Sequence, residues 1–145
     1  MPIDRFYNEV LTDHNLHPIR KHALKDPNLM LEGVNPSCGD DIVLQLRVKN
    51  GRIEDGAFEG DGCAVSQASA DIMLEMIVGR TAEEAKELHS CFMRMIRGEA
   101  SEEEIEMLEE AGALQGISKM PARVKCAVLA WRTMSEMLDR PEASE

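Results

Sequence analysis

The chain has 145 residues, 30% charged and 43% hydrophobic, with a formal net charge of −11. That balance suits one soluble domain, residues 1–145, with a real core, and excludes disorder as its main state. The acidic charge argues against nucleic acid as a partner, and the apolar runs are too short to span a membrane. Met1-Pro2-Ile3-Asp4-Arg5 lacks the apolar stretch of a signal peptide, so the cytoplasm is the expected location. The four cysteines are then expected as thiols rather than as two disulfides. Ten methionines against one tryptophan, one tyrosine and three phenylalanines point to an adaptable, aliphatic core.

Asp4 to about His14 has the period of a helix, with Phe6, Tyr7, Val10 and Leu11 on one stripe and Asp4 as its cap. His17-Pro18 ends it, because the residue before a proline is pushed out of the α region. Ile19 to Pro27 is basic and irregular. His14, His17 and His22 could be ligands, but the surface is the commoner place for scattered histidines and is where they are expected.

Strands come next. Leu29 to Val34 is short and apolar. Ile42, Leu44, Leu46 and Val48 alternate with Val43, Gln45, Arg47 and Lys49, the pattern of a half-buried strand. Asn50-Gly51 is a two-residue hairpin turn, since both residues tolerate positive φ. Arg52 to Gly60 then returns antiparallel, with Ile53 and Phe58 as its large apolar residues. The expected product is a three-stranded antiparallel sheet.

The second half reads as helices, which makes the fold class α+β. Val65, Ala68, Ile72, Met73, Met76 and Ile77 form a helical stripe closed by Gly79. Thr81 to Glu84 is a capping box for a helix with Leu88, Cys91, Phe92 and Met95 on one face, closed by Gly98. Cys91 is therefore a core residue, and His89 is expected to be exposed. Ser101 to Glu104 repeats the capping signal for a short acidic helix with a solvated face. Ala111 to Lys119 reads as a loop or weak helix. Pro121 suits the first turn of a last helix, in which Val124, Ala127, Val128, Trp131 and Leu138 face inward. The tail Pro141 to Glu145 is expected to fray.

Chemistry concentrates in the turn Asn35-Pro36-Ser37-Cys38-Gly39-Asp40, where a thiol and a carboxylate stand two positions apart. Gly39 can adopt positive φ, which lets both side chains project toward one point. Cys63, after Gly60-Asp61-Gly62, precedes one helix, and Cys126 lies in the first turns of another. Helix N-termini favour anions, so both are placed to be thiolates. Gly62 leaves room for a close approach. Three thiolates and one carboxylate would suit tetrahedral zinc. The cysteines lie 25 and then 63 residues apart, unlike a compact zinc knuckle. Cys38 and Cys63 sit in polar turns that bury little, whereas Cys126, on the flank of its helix beside the Val124, Ala127 and Val128 face, fits either a core or a ligand role.

Three stretches, Asn35 to Asp40, Phe58-Glu59-Gly60-Asp61-Gly62-Cys63-Ala64-Val65-Ser66-Gln67-Ala68-Ser69, and Pro121-Ala122-Arg123-Val124-Lys125-Cys126, resemble the three cysteine motifs of the U-type iron–sulfur scaffold superfamily. They occur in order, and the similarity runs from the first helix nearly to the C-terminus. IscU-type scaffolds carry a histidine immediately before the third cysteine, where this chain has Lys125. The gap before that cysteine is also longer here, by an inserted segment at about 98–118. Both features are similar to the SufU branch, the zinc-dependent partners of the cysteine desulfurase SufS.

The resemblance implies a SufE/NifU-like, IscU-type fold, with Cys38, Asp40, Cys63 and Cys126 holding one zinc ion. It implies Cys38 as acceptor of persulfide sulfur from the desulfurase and Asp40 as the exchangeable ligand, the harder donor among soft ones. Arg123 and the His14–Lys25 segment become candidate docking residues, and downstream iron–sulfur scaffold proteins become candidate recipients. Two other readings stand beside this one. The same ligands could build a [2Fe–2S] cluster, since thiolates suit both metals. A closed structural zinc site used for protein interaction would more often be all cysteine and histidine.

Overall fold

The structure, a computed structural model, describes residues 3–140, with side chains from residue 9 onward. Helix α1 spans Ile3–Leu16, followed by strands β1 (Leu29–Asn35), β2 (Asp40–Lys49) and β3 (Arg52–Asp61). Helices α2 (Ala64–Ile77), α3 (Ala82–Ile96) and α4 (Glu102–Met107) follow, then a 3-10 run, Glu109–Lys119, and α5 (Pro121–Leu138). The expected Phe6 and Tyr7 stripe, the Asp4 cap and the frayed tail from Pro141 lie outside the described side chains or residues. No helix among the described residues is long and apolar enough to cross a membrane.

The fold is α+β: a three-stranded antiparallel sheet in the order β1-β2-β3, packed against helices. Asn50 (φ 54°) and Gly51 (φ 73°) close the β2–β3 hairpin as their sequence demands. Ile42, Leu44 and Leu46 are fully buried on one face, with Phe58 opposite Leu44 on β3. Each such burial stabilises by roughly 1.5–3 kcal/mol, so a one-residue slip that exposed them all is strongly disfavoured. Gln45, expected to face outward, is buried instead: it accepts from the Leu24 amide at 2.8 Å and donates to Glu59 at 2.9 Å. The irregular segment after α1 covers that face, and the Phe58 amide donates to the Arg20 carbonyl at 2.9 Å along the edge of β3. The edge is thereby protected from pairing with another chain.

Helix α2 is the centre of the fold. Eleven of its 14 residues are buried, the expected apolar stripe together with Ser66, Ser69 and Asp71 among them, and only a narrow strip with Ala64 and Glu75 reaches solvent. It packs against α1, α5 and β3. The polar residues on it are paired: Ser69 donates to the Ala127 carbonyl at 2.7 Å and accepts from the Trp131 indole at 3.2 Å. Trp131 stacks on Phe92 of α3 with ring centroids 4.3 Å apart. Gly33 lets α5 lie close to β1, because a Cβ there would collide with Thr133 and crowd Leu129.

Both capping boxes form, Thr81 with Glu84 and Ser101 with Glu104, and Gly79 and Gly98 take positive φ at the ends of α2 and α3. The Ala111 to Lys119 stretch is part of the 3-10 run, which buries Ala111, Ala113, Leu114 and Ile117. Cys91 is in the core, as its stripe implied.

Two histidines differ from expectation. His14 is buried, with Nδ1 2.7 Å from Asp71 and Nε2 2.5 Å from Glu110. Burial alone would lower its pKa, but the two carboxylates outweigh that and raise it. His89 is half-buried, not exposed, and its enclosed Nε2 has no partner among the described residues. Burial, with Arg132 nearby, lowers its pKa. His17 and His22 are exposed as expected.

Candidate metal centre

The four candidate ligands come from three places in the chain, and three of them, Cys38, Asp40 and Cys126, form one close group. Asn35 ends β1 and pairs with Asp40, which begins β2, so the intervening turn is a hairpin loop that places Cys38 beside the start of the sheet. The Cys38 amide donates to the Asn35 carbonyl at 3.3 Å, and Gly39 takes φ 70°, the conformation its lack of a side chain permits. Cys38 stays half-exposed, with its sulfur 3.9 Å from the Ala122 carbonyl at the start of α5. Cys63 is the N-cap of α2, and its sulfur accepts from the Ser66 amide at 3.4 Å.

Cys126 departs from expectation. It is fully buried, because Cys126 to Trp131 are all buried on α5 and the helix has no flank at this level. Burial pushes its thiol pKa up, and hydrogen bonds with the Cys38, Cys63 and Asp40 side chains hold the proton in place. The helix start does not make this thiol acidic, since Cys126 is the sixth residue of α5 and the dipole effect fades beyond the first turn.

Asp40 has no exposed surface. Its Oδ1 accepts from the Cys63 amide at 2.8 Å and from the Ser66 hydroxyl at 3.1 Å, and its Oδ2 accepts from the Asn35 amide at 3.2 Å. Burial alone would raise the carboxyl pKa, but these bonds and one from Cys126 hold it below the usual range. Asn35 uses its other proton on the Cys126 sulfur at 3.6 Å.

Ligand atoms of Cys38, Asp40 and Cys126 all lie within 4.8 Å of one another. Cys63 is outside that mutual group, its sulfur turned to cap α2 while still neighbouring Cys126. The donor set fits a thiophilic cation: an anionic carboxylate sits among three sulfurs, with every hydrogen bond to it coming from an uncharged group. Arg123 lies exposed at the rim, its pKa raised by a hydrogen bond with Cys126 and by the Cys63 and Cys38 sulfurs. Lys125, before the buried cysteine, faces solvent.

Asn35 and Ser66 belong to the motifs, yet nothing in their residue types marked them as partners of Asp40. One signal was available. Ser66 follows the N-cap Cys63 by three residues, which returns it to the loop that Cys63 caps.

Residues 6–136 match the family described as NifU-like N terminal domain. This chain therefore belongs to the NifU-like N-terminal domain family. It is similar to the zinc-dependent sulfurtransferase SufU of Bacillus subtilis, 37% identical over 97% of this chain and 94% of that protein. It is also similar to the iron–sulfur cluster assembly scaffold protein IscU of Thermotoga maritima, 40% identical over 97% of each chain. Its fold matches the crystal structure of a putative iron–sulfur cluster assembly scaffold protein for the SUF system from Fervidobacterium islandicum, with a TM-score of 0.86 and 33% identity over 92% of this chain and 97% of that one.

Proposed function

We propose that the protein is a zinc-dependent sulfurtransferase that takes persulfide sulfur from a SufS-type cysteine desulfurase for iron–sulfur cluster biogenesis. The observation that carries this reading is the position of Cys38, a half-exposed thiol on a turn tip, grouped with buried Asp40 and Cys126. A partner can reach such a sulfur without unfolding the site. The similarity to a zinc-dependent sulfurtransferase over nearly the whole chain supports it, as does Lys125 where the resemblance leads one to expect a histidine in IscU-type scaffolds.

Cys38, Asp40, Cys63 and Cys126 would hold the zinc, with Cys63 turning from its capping bond. Bound zinc would keep the coordinating thiols deprotonated. The Cys38 thiolate attacks the terminal sulfur of the desulfurase persulfide, forming a new S–S bond. The old S–S bond breaks, and its electron pair leaves on the desulfurase cysteine as thiolate. No net oxidation or reduction occurs, because a persulfide has moved from one cysteine to another. Asp40 would be the ligand most readily given up to a docking partner, since a carboxylate is the donor least suited to a soft site. Arg123, at the rim, is a contact for the desulfurase, and downstream scaffold proteins receive the sulfur.

A second reading is an IscU-like scaffold that assembles and transfers a [2Fe–2S] cluster on the same ligands. The 40% identity to a protein named for that role favours it. Elemental analysis of protein purified without chelator or added metal separates the two. About one zinc per chain with negligible iron, together with stimulation of a desulfurase, is the expected outcome. Iron with matching sulfide in a coloured protein would replace the proposal with the scaffold.

A further inference from the structure

Ser66 touches the candidate metal centre without being one of its ligands. We infer that Ser66 is a positioning residue that holds the Asp40 carboxylate in its ligating orientation, with one oxygen bound to the protein and the other left for the metal. The inference rests on the metal-binding part of the reading above.

Lone-pair counting carries it. A carboxylate offers about two acceptor positions on each oxygen. On Oδ1 both are taken, by the Cys63 amide at 2.8 Å and the Ser66 hydroxyl at 3.1 Å. On Oδ2 the Asn35 amide takes one at 3.2 Å, and the further bond from the Cys126 thiol to this carboxylate ends when a metal takes the place of the thiol proton, which leaves Oδ2 the oxygen open to a metal. Ser66 is 1% exposed and Asp40 0%, so bulk water does not stand in for the hydroxyl.

The three groups are packed to fit. A Cβ on Gly62 would collide with both Ser66 Oγ and Asp40 Oδ1, so the loop admits only glycine while that bond is kept. The Ser66 hydroxyl has one proton and two acceptors in reach, since the Cys63 carbonyl lies 3.0 Å away. While Asp40 is ionised, its charge makes it the stronger acceptor. The geometry thus ties the serine to the carboxylate rather than to the helix alone.

A double-mutant cycle on zinc affinity tests this. Apo protein is prepared as wild type, Ser66→Ala, Asp40→Ala and the double variant, and each is titrated with Zn2+ against a chromophoric chelator. Ser66→Ala is expected to weaken binding about tenfold when Asp40 is present, as loss of an outer-shell partner does. In the Asp40→Ala background the same change should matter by no more than about twofold. Gly62→Ala should reproduce the loss and not add to it. The Co2+-substituted wild-type and Ser66→Ala proteins should also differ in their visible ligand-field bands. Equal losses in both backgrounds would show a merely structural serine and overturn the inference, as would no loss at all or a wild type that fails to bind zinc. The cycle uses added metal and no desulfurase. A protein that shows the Ser66–Asp40 coupling but does not stimulate the desulfurase would sink the sulfurtransferase reading alone.

Discussion

His14 Nδ1 lies 2.7 Å from the Asp71 carboxylate, which also accepts from the Ile19 amide at 3.0 Å and the Arg20 amide at 2.8 Å. One buried carboxylate on α2 therefore ties down both α1 and the segment that follows it. Glu110 holds the opposite nitrogen of the ring. The imidazole joins three parts of the fold by bridging two carboxylates.

This bridge should make stability depend on pH. The folded-state pKa of His14 is raised above its ordinary value. Its contribution is then fully present below an unfolded pKa of about 6.5, and is lost as pH rises through the folded pKa. Urea unfolding of wild type and His14→Ala at several pH values checks this. The variant should be less stable by about 1–3 kcal/mol at low pH, with the gap narrowing as pH rises. A gap that widens with pH would contradict the bridge.

Cys38→Ser should abolish sulfur acceptance and leave the apo fold intact. The residue is half-exposed on a turn, so its stability change is expected to stay within about 0.5 kcal/mol. Trp131 is fully buried, and its fluorescence reports unfolding for this comparison. Persistent full stimulation of the desulfurase would remove Cys38 as the acceptor.

Asp40→Ala should lower zinc affinity by more than the 10–100-fold that is about typical of an outer-shell partner, because it deletes a proposed ligand. It should also lower desulfurase stimulation. Competition titration and a sulfide-release assay measure the two effects. Retention of both at wild-type level would show that the carboxylate is not an exchanged ligand.

Gly33→Ala tests the fit of α5 on β1. The added methyl would run into Thr133, whose buried hydroxyl is bonded to the Leu129 carbonyl at 2.8 Å. Overpacking of this kind costs about 1–3 kcal/mol, which a shift in the urea midpoint would register. An unchanged midpoint would mean that the helix moves off the strand freely.

Much of the local structure could be read from residue order, because it rests on local rules. Asn50-Gly51 had to turn, Thr81 and Ser101 had to cap, and the alternation from Ile42 to Val48 had to bury one face. These outcomes depend on φ preferences and side-chain reach within a few residues. The placement of Cys91 in the core followed from the period of α3 in the same way.

The burial of His14, Gln45 and Cys126 could not be read this way, because each is enclosed by a distant part of the chain. His14 meets Asp71 and Glu110, and Gln45 is closed over by the segment that contains Leu24. Cys126 lies under a hairpin turn some ninety positions earlier, with Asn35 bonded to its sulfur. By itself the sequence determined which strands, turns and helices form, and its motifs pointed to Cys38, Asp40, Cys63 and Cys126 as the ligand candidates. Only the tertiary structure decided that Asp40 is clamped by Cys63, Ser66 and Asn35, and that Cys126 is closed to solvent. The physical reason is range: local rules act over a few residues, whereas the surroundings of a buried polar group depend on which remote element covers it.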